Sequence, residues 1–138
     1  MKTALKILVH PLTICLLFCF LIISGEESAF FYIILLLLGL PHGVLHSILG
    51  ILGILLLLSS AFLKERSVMS ILRLAGALCF ILSLIRFFTQ PGASYNYNTL
   101  RESVPLFLLV IFSLLLLLFI IHQLRILILR GKPPLSAL

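Results

Sequence analysis

The sequence predicts an all-α membrane protein with four transmembrane segments. Of its 138 residues, 62% are hydrophobic and 10% are charged, and the mean hydropathy is +1.33. Soluble domains carry roughly 25% charged residues, and a soluble fold of this length has too little interior for so much Leu, Ile and Phe. The apolar residues also fall into runs that approach or exceed the ~20 residues needed for one crossing. A single transmembrane domain over residues 1–138 is therefore expected.

The first predicted segment runs from about Ile7 to Ser24, after Lys2 and Lys6. A positive start, an apolar run and a small-residue end also describe a signal peptide. This apolar run is longer than a usual signal core, and no cysteine stands where a lipoprotein signal needs one. We therefore interpret the segment as a retained helix.

The second segment, Ala29–Leu63, contains no charged residue. A continuous helix of that length would reach ~52 Å, against ~30 Å of hydrocarbon, whereas two crossings need about 40 residues. Pro41 has no amide proton and clashes with the preceding turn, so a helix is expected to break there. We predict a break at Pro41-His42-Gly43, with a short helix before it and one spanning helix after it.

The third and fourth segments are predicted at about 68–89 and 104–124, joined by a polar loop with a Pro-Gly turn. Ser103 is expected to cap the last helix and Pro105 to lie in its first turn. An amphipathic basic tail over 125–138 is expected to continue as helix at the lipid surface, until Gly131 and the following prolines stop it.

Positive charge predicts the orientation of these segments, because cytoplasmic loops are enriched in Lys and Arg. If Ala29–Leu63 makes one net crossing, eight of the ten basic residues lie on one side and two on the other. The eight are Lys2, Lys6, Lys64, Arg66, Arg73, Arg125, Arg130 and Lys132, and the two are Arg86 and Arg101, which accompany Glu26, Glu27 and Glu102. Two crossings would reverse this bias. Both termini are therefore predicted to be cytoplasmic, in a bacterial inner membrane.

Small residues recur through the second segment at spacings of four, four, three and three. They are Gly39, Gly43, Ser47, Gly50 and Gly53, and they include one GxxxG. On one helix face they would let another backbone approach closely. The stripe predicts packing against this chain's own helices or contact with a partner subunit.

His42 and His46 lie four residues apart and would share a face of a continuous helix, as haem or metal ligands can. The surrounding GLPHGVLHS (Gly39–Ser47) resembles a histidine motif of the bacterial membrane β-carotene-cleaving oxygenases. That pattern is similar to HG-x-x-DH, with histidines expected to bind iron. Here His46 replaces the Asp and Ser47 replaces the second His, so we carry no function across.

Residues that would indicate chemistry are sparse. No acidic residue lies in a predicted membrane core, which argues against an ion-coupled carrier. No GxSxG, HExxH, P-loop or paired carboxylates occur, so we do not expect an enzyme. The three cysteines, Cys15, Cys19 and Cys79, lie in apolar segments and are expected to behave as small apolar residues. Arg86 is the one strong charge well inside a span, where it is a candidate for solute or headgroup contact.

Three functions remain as hypotheses. The first is a non-catalytic integral subunit or assembly factor of a larger membrane complex. The second is a small homo-oligomeric channel or carrier for an uncharged or anionic solute, which the broken second segment motivates. The third is haem or metal binding by His42 and His46. The first expects no cofactor, and contact with lipid and with other membrane subunits or further copies. Nucleic acid is not an expected partner, because the basic residues flank apolar segments.

Overall fold

The computed structural model describes residues 7–25, 28–90 and 93–130. Its helices are α1 (Pro11–Cys19), α2 (Tyr32–Gly39), α3 (Leu45–Ser59), α4 (Arg66–Thr89) and α5 (Ser103–Arg130). Two strands, β1 (Ile22–Ser24) and β2 (Ala29–Phe31), lie between α1 and α2, and 3-10 turns over Ser60–Phe62 and Ala93–Leu100 follow α3 and α4. Outside the described residues lie Lys2, Lys6, Glu26, Glu27, the Pro91-Gly92 turn, Lys132 and the rest of the tail beyond Arg130.

Among the described residues, three helical stretches are long and apolar enough to cross a membrane: Leu45–Phe62, Arg66–Thr89 and Ser103–Leu129. The described part of the chain is thus predominantly helical with three candidate spans, which agrees with the predicted all-α membrane class in outline. The number of four spanning segments stays a prediction.

The first segment differs from the single helix predicted over 7–24. Helix α1 ends at Cys19, and its nine residues rise only ~13 Å. The chain then becomes extended, and β1 pairs antiparallel with β2, with Ile22 opposite Phe31 and Ile23 opposite Phe30. Two β-branched residues facing two aromatic residues are a favourable cross-strand pairing. This local preference explains why helix gives way to strand here.

The predicted break in the second segment is present. Helix α2 ends at Gly39 and α3 begins at Leu45, with Pro41 in the turn between them. Gly43 has a φ of +65°, a backbone conformation that glycine adopts without steric cost. The amide of Val44 donates to the carbonyl of Gly39 at 3.1 Å, which closes the turn.

The bounds of α4 agree with the predicted third segment. The first residue of α5 is Ser103, which was expected to be the cap, and Pro105 lies in its first turn as expected. The helix continues without interruption to Arg130, so residues 125–130 of the predicted tail are helical, as expected, and belong to α5 itself. That the tail lies at the lipid surface stays a prediction.

The core lies where α1, α4 and α5 meet. The ring of Phe18 stacks on that of Phe80 with centroids 3.8 Å apart, and the ring of Phe112 lies 5.6 Å from Phe18. Tyr32 on α2 meets Phe18 edge to face at 5.2 Å. These four aromatic side chains are almost fully buried, and they tie the short N-terminal helix to two of the spanning helices.

Candidate functional site

A buried chain of hydrogen bonds joins α2, α3 and α4. The Oγ of Ser83 donates to the backbone carbonyl of His46 at 2.7 Å, and the hydroxyl of Tyr32 lies 2.9 Å from the same Oγ. Because Ser83 has one hydroxyl proton and gives it to His46, Tyr32 must be the donor of the second bond. All three residues are buried. The chain fastens the short helix α2 to the two longer helices.

The imidazole of His46 lies beside this chain. Its ring is 5.0 Å from that of Phe87 and 6.4 Å from that of Tyr32. Its Nδ1 is buried and has no hydrogen-bond partner among the described residues. His42, in contrast, is exposed in the turn before α3 begins.

The structure therefore does not place the two histidines together on one helix face. Within residues 7–25, 28–90 and 93–130, no three His, Cys, Asp or Glu side chains converge where they could hold a metal ion. A single buried imidazole nitrogen can bind one small polar group such as water. It does not by itself supply the two ligands that the bis-histidine hypothesis requires.

The small-residue stripe is split by the turn. Gly39 ends α2 and Gly43 lies in the turn, so the predicted GxxxG does not occupy one helix face. Ser47, Gly50 and Gly53 do share α3, where they are buried. A Cβ added at Gly53 would lie 2.6 Å from the ring of Phe80, and one at Gly50 would lie 2.7 Å from Leu36. These positions therefore pack against the chain's own helices and cannot present a surface to a partner.

Two arginines inside α4 differ in their surroundings. Arg86 is exposed, so its side chain can extend toward a headgroup or a solute. Arg73 is half-buried, and its Nε donates to the Oγ of Ser60 at 3.1 Å. The hydroxyl of Ser60 in turn donates to the carbonyl of Leu57 at 2.6 Å. Arg73 thus links α4 to the end of α3.

A second group of polar contacts surrounds the β1–β2 hairpin, at the end of the bundle away from Arg73. Thr99 is fully buried, and its Oγ1 accepts from the amide of Ser24 at 2.9 Å and donates to the carbonyl of Ser24 at 3.3 Å. The hydroxyl of Ser24 donates to the carboxylate of Glu102. Asn98 donates to the carbonyl of Gly25 at 3.1 Å. Backbone groups of Ser24 and Gly25, which lie outside the helices, find hydrogen-bond partners in this way.

An apolar groove of about 570 Å³ runs between α4 and α5 and is open at its side. It is lined by Ile81, Leu84, Ile85, Phe88, Thr89, Leu100, Leu109, Phe112, Ser113, Leu116, Leu117 and Ile120. The hydroxyls of Thr89 and Ser113 donate to carbonyls of their own helices, those of Ile85 and Leu109. The α4–α5 groove therefore offers apolar contact and few polar groups, which suits an acyl chain or a transmembrane helix.

The fold and these surfaces define a small helical membrane protein whose polar groups serve mainly to join its own helices. Phe18, Phe80 and Phe112 fill the space where α1, α4 and α5 meet. No family model, curated protein or solved structure matches this chain.

Sequence reasoning missed Tyr32, Ser83 and Thr99 as the residues that hold the buried polar contacts. A signal for Ser83 was available, because Gly76 and Ser83 lie seven residues, or about two helical turns, apart in α4, and both are buried there. Small residues on one helix face allow a close helix contact. No comparable pattern marked Thr99, whose contacts depend on a hairpin that was not predicted.

Proposed function

We propose that this chain is a non-catalytic integral subunit or assembly factor of a larger membrane complex, in a bacterial inner membrane. The observation that carries the proposal is the open α4–α5 groove. Van der Waals packing is a main attraction between helices in lipid, so a groove between two helices is a favourable binding site for a third helix. We assign it to a transmembrane helix of a partner protein.

Burial within the chain supports this assignment. In an 18-residue window of each candidate span, the share buried by the chain itself is 33% for Leu45–Phe62, 28% for Arg66–Thr89 and only 22% for Ser103–Leu129. The last span, which forms one wall of the groove, is the least covered. Its apolar surface is available to lipid and to other subunits.

Purification of the tagged full chain from native membranes, in lipid-polymer discs, tests the proposal. We expect one or more membrane proteins to co-purify in a fixed ratio. Ser113→Phe would fill the groove from an exposed position without entering the core, and it should release the partner. Ser59→Phe is the matched control, because Ser59 is also exposed and also donates to a carbonyl of its own helix. A chain that purifies with lipid alone would contradict the proposal.

A further inference from the structure

Helix α3 begins without a side-chain cap. Its N-cap residue is Val44, where Ser, Thr, Asp and Asn are the preferred residues, and no side chain caps the helix there. The amides of Ser47 and Ile48 both donate to the carbonyl of Val44, at 3.0 and 3.1 Å. In the part of the chain that the structure describes, the amides of Leu45 and His46 have no such acceptor. Two hydrogen-bond donors are therefore free at the positive end of a 15-residue helix.

The same turn carries two buried side-chain atoms without a partner. Within residues 7–25, 28–90 and 93–130, the Nδ1 of His46 and the Oγ of Ser47 make no hydrogen bond, and the two side chains are 5% and 0% exposed. Helical side chains lean toward the N-terminus of their helix, so these two, on the second and third residues of α3, point back at its first turn. A Cβ added at Gly39 would overlap the Oγ of Ser47 and lie 3.4 Å from the Cβ of Val44, so this hydroxyl lies close to the N-cap residue.

We propose that the start of α3 is a binding site for a phosphate group. The free amides of Leu45 and His46 and the hydroxyl of Ser47 can donate to phosphate oxygens. The imidazole of His46 can donate as well, in the tautomer that carries its proton on Nδ1. The first turn contains no acidic residue that would repel an anion. In membrane transporters, the N-termini of broken helices are used in this way to hold anionic groups.

The start of α3 is accessible from one end of the bundle. Leu45 is 51% exposed, and a Cβ added at Gly43, in the preceding turn, would meet no atom within 4 Å. The ring of His46 packs on that of Phe87, which follows Arg86 near the end of α4. The site therefore lies at the level expected for headgroups. Its phosphate can come from a phospholipid or from free phosphate, since both present the same oxygens. No residue of α3 lines the α4–α5 groove, so the inference does not depend on the proposed function.

Thermal unfolding of the full-length chain in a maltoside detergent, which contains no phosphate, tests the site. Inorganic phosphate is added at constant ionic strength in one arm. Phosphatidylglycerol is added in the other, with a glucosyl diacylglycerol as the phosphate-free lipid. A ligand that binds only the folded chain raises its Tm, and we expect a rise of a few degrees. A rise with phosphatidylglycerol alone supports a headgroup site, and a rise with inorganic phosphate supports a site for the small anion. No rise in either arm, or an equal rise with the glucolipid, would overturn the proposal.

Substitutions locate the effect on α3. In Val44→Asp, an N-cap carboxylate would accept from the free amides and repel phosphate, so the rise in Tm should be lost. Val44→Thr caps the same amides without charge and keeps the shape of the side chain, and Ser47→Ala removes the buried hydroxyl; each should reduce the rise. Ser59→Ala is the matched control for Ser47→Ala, because Ser59 ends α3 and donates to the carbonyl of Leu56 at 3.0 Å. It should keep the full rise, as should any general stabilisation by salt. A full rise in Val44→Asp and Ser47→Ala would exclude the start of α3 as the site.

Discussion

Gly53 on α3 and Gly76 on α4 contact each other backbone to backbone. A Cβ atom built on either glycine would lie 3.0 Å from the carbonyl oxygen of the other. The contact is reciprocal, and carbonyl oxygens inside helices cannot move aside as a side chain can. The α3–α4 crossing therefore has no room for a methyl group at either position.

Gly53→Ala should consequently destabilise the fold. The new methyl group would meet the ring of Phe80 at 2.6 Å as well as the carbonyl of Gly76, so the two helices must separate. Overpacking of this kind costs about 1–3 kcal/mol of the free energy of unfolding. Thermal unfolding of the purified protein in detergent, followed by circular dichroism, measures the loss.

Gly50→Ala provides the comparison, because it adds the same methyl group one turn away. There the closest atoms are the Cδ2 and Cδ1 of Leu36, at 2.7 and 2.9 Å, which are the ends of a flexible side chain. We expect a smaller loss of stability than for Gly53→Ala. An equal or larger loss at Gly50 would show that the backbone contact with Gly76 is not the limiting one.

The hydrogen bond between Tyr32 and Ser83 predicts an asymmetric pair of effects. Ser83→Ala leaves the buried hydroxyl of Tyr32 without its acceptor, whereas Tyr32→Phe removes the donor and leaves Ser83 bonded to the carbonyl of His46. A buried hydroxyl left unpaired costs about 1–3 kcal/mol, more than a removed bond. Ser83→Ala should therefore be the more destabilising change.

The double variant Tyr32→Phe/Ser83→Ala should be no less stable than Ser83→Ala, because it removes both partners of the bond. Thermal unfolding of the four proteins gives the coupling free energy. Ser113→Ala is a suitable control, since Ser113 is exposed and bonds only within its own helix. Additive effects of the two substitutions would mean that the hydroxyl contact contributes nothing.

Thr99 is predicted to hold the β1–β2 hairpin against the start of α5. Thr99→Val keeps the shape of the side chain but removes the oxygen that bonds both backbone groups of Ser24. The freed amide and carbonyl would then form hydrogen bonds with water, so the amide of Ser24 should exchange its hydrogen markedly faster. Hydrogen exchange of the protein in lipid discs, read by mass spectrometry over the hairpin peptide, measures this change.

Thr89→Val is the matched control for Thr99→Val. It makes the same substitution at an exposed threonine whose hydroxyl bonds only to the carbonyl of Ile85 in its own helix. Exchange in the hairpin should be unchanged in this variant. If Thr99→Val also leaves that exchange unchanged, the hairpin is held by β-pairing and not by Thr99.

The break near Pro41 and the spans after it could be read from the sequence, because they follow from length, proline chemistry and hydrophobicity. The hairpin could not, since Ile22 and Ile23 are as apolar as the helix before them. What turns them into a strand is pairing with Phe30 and Phe31, together with the buried Thr99 some 75 residues away. The local amino-acid composition does not predict such a distant contact.

The candidate site shows the same limit. The small-residue spacing around Gly53 predicted close packing, but spacing alone does not say whether the neighbour is this chain or another. His42 and His46 were expected to share one helix face, because a spacing of four residues has that effect only if the helix is continuous. The turn places one of them in an exposed position and the other inside the bundle.

Orientation in the membrane gives the last prediction. The β1–β2 hairpin, Arg86, Arg101 and Glu102 lie at one end of the bundle, and Lys64, Arg66 and Arg125 belong to the other. By the positive-inside rule the second end should be cytoplasmic, together with both termini.

Single cysteines at Ser94 and Ser136, in a background without Cys15, Cys19 and Cys79, can be labelled with an impermeant maleimide on intact spheroplasts. Ser94 belongs to the 3-10 turn that leads into α5, and Ser136 to the tail beyond it. We expect labelling at Ser94 alone before lysis and at both positions after lysis, because α5 separates them by one crossing. Labelling at Ser136 but not at Ser94 before lysis would invert the predicted orientation.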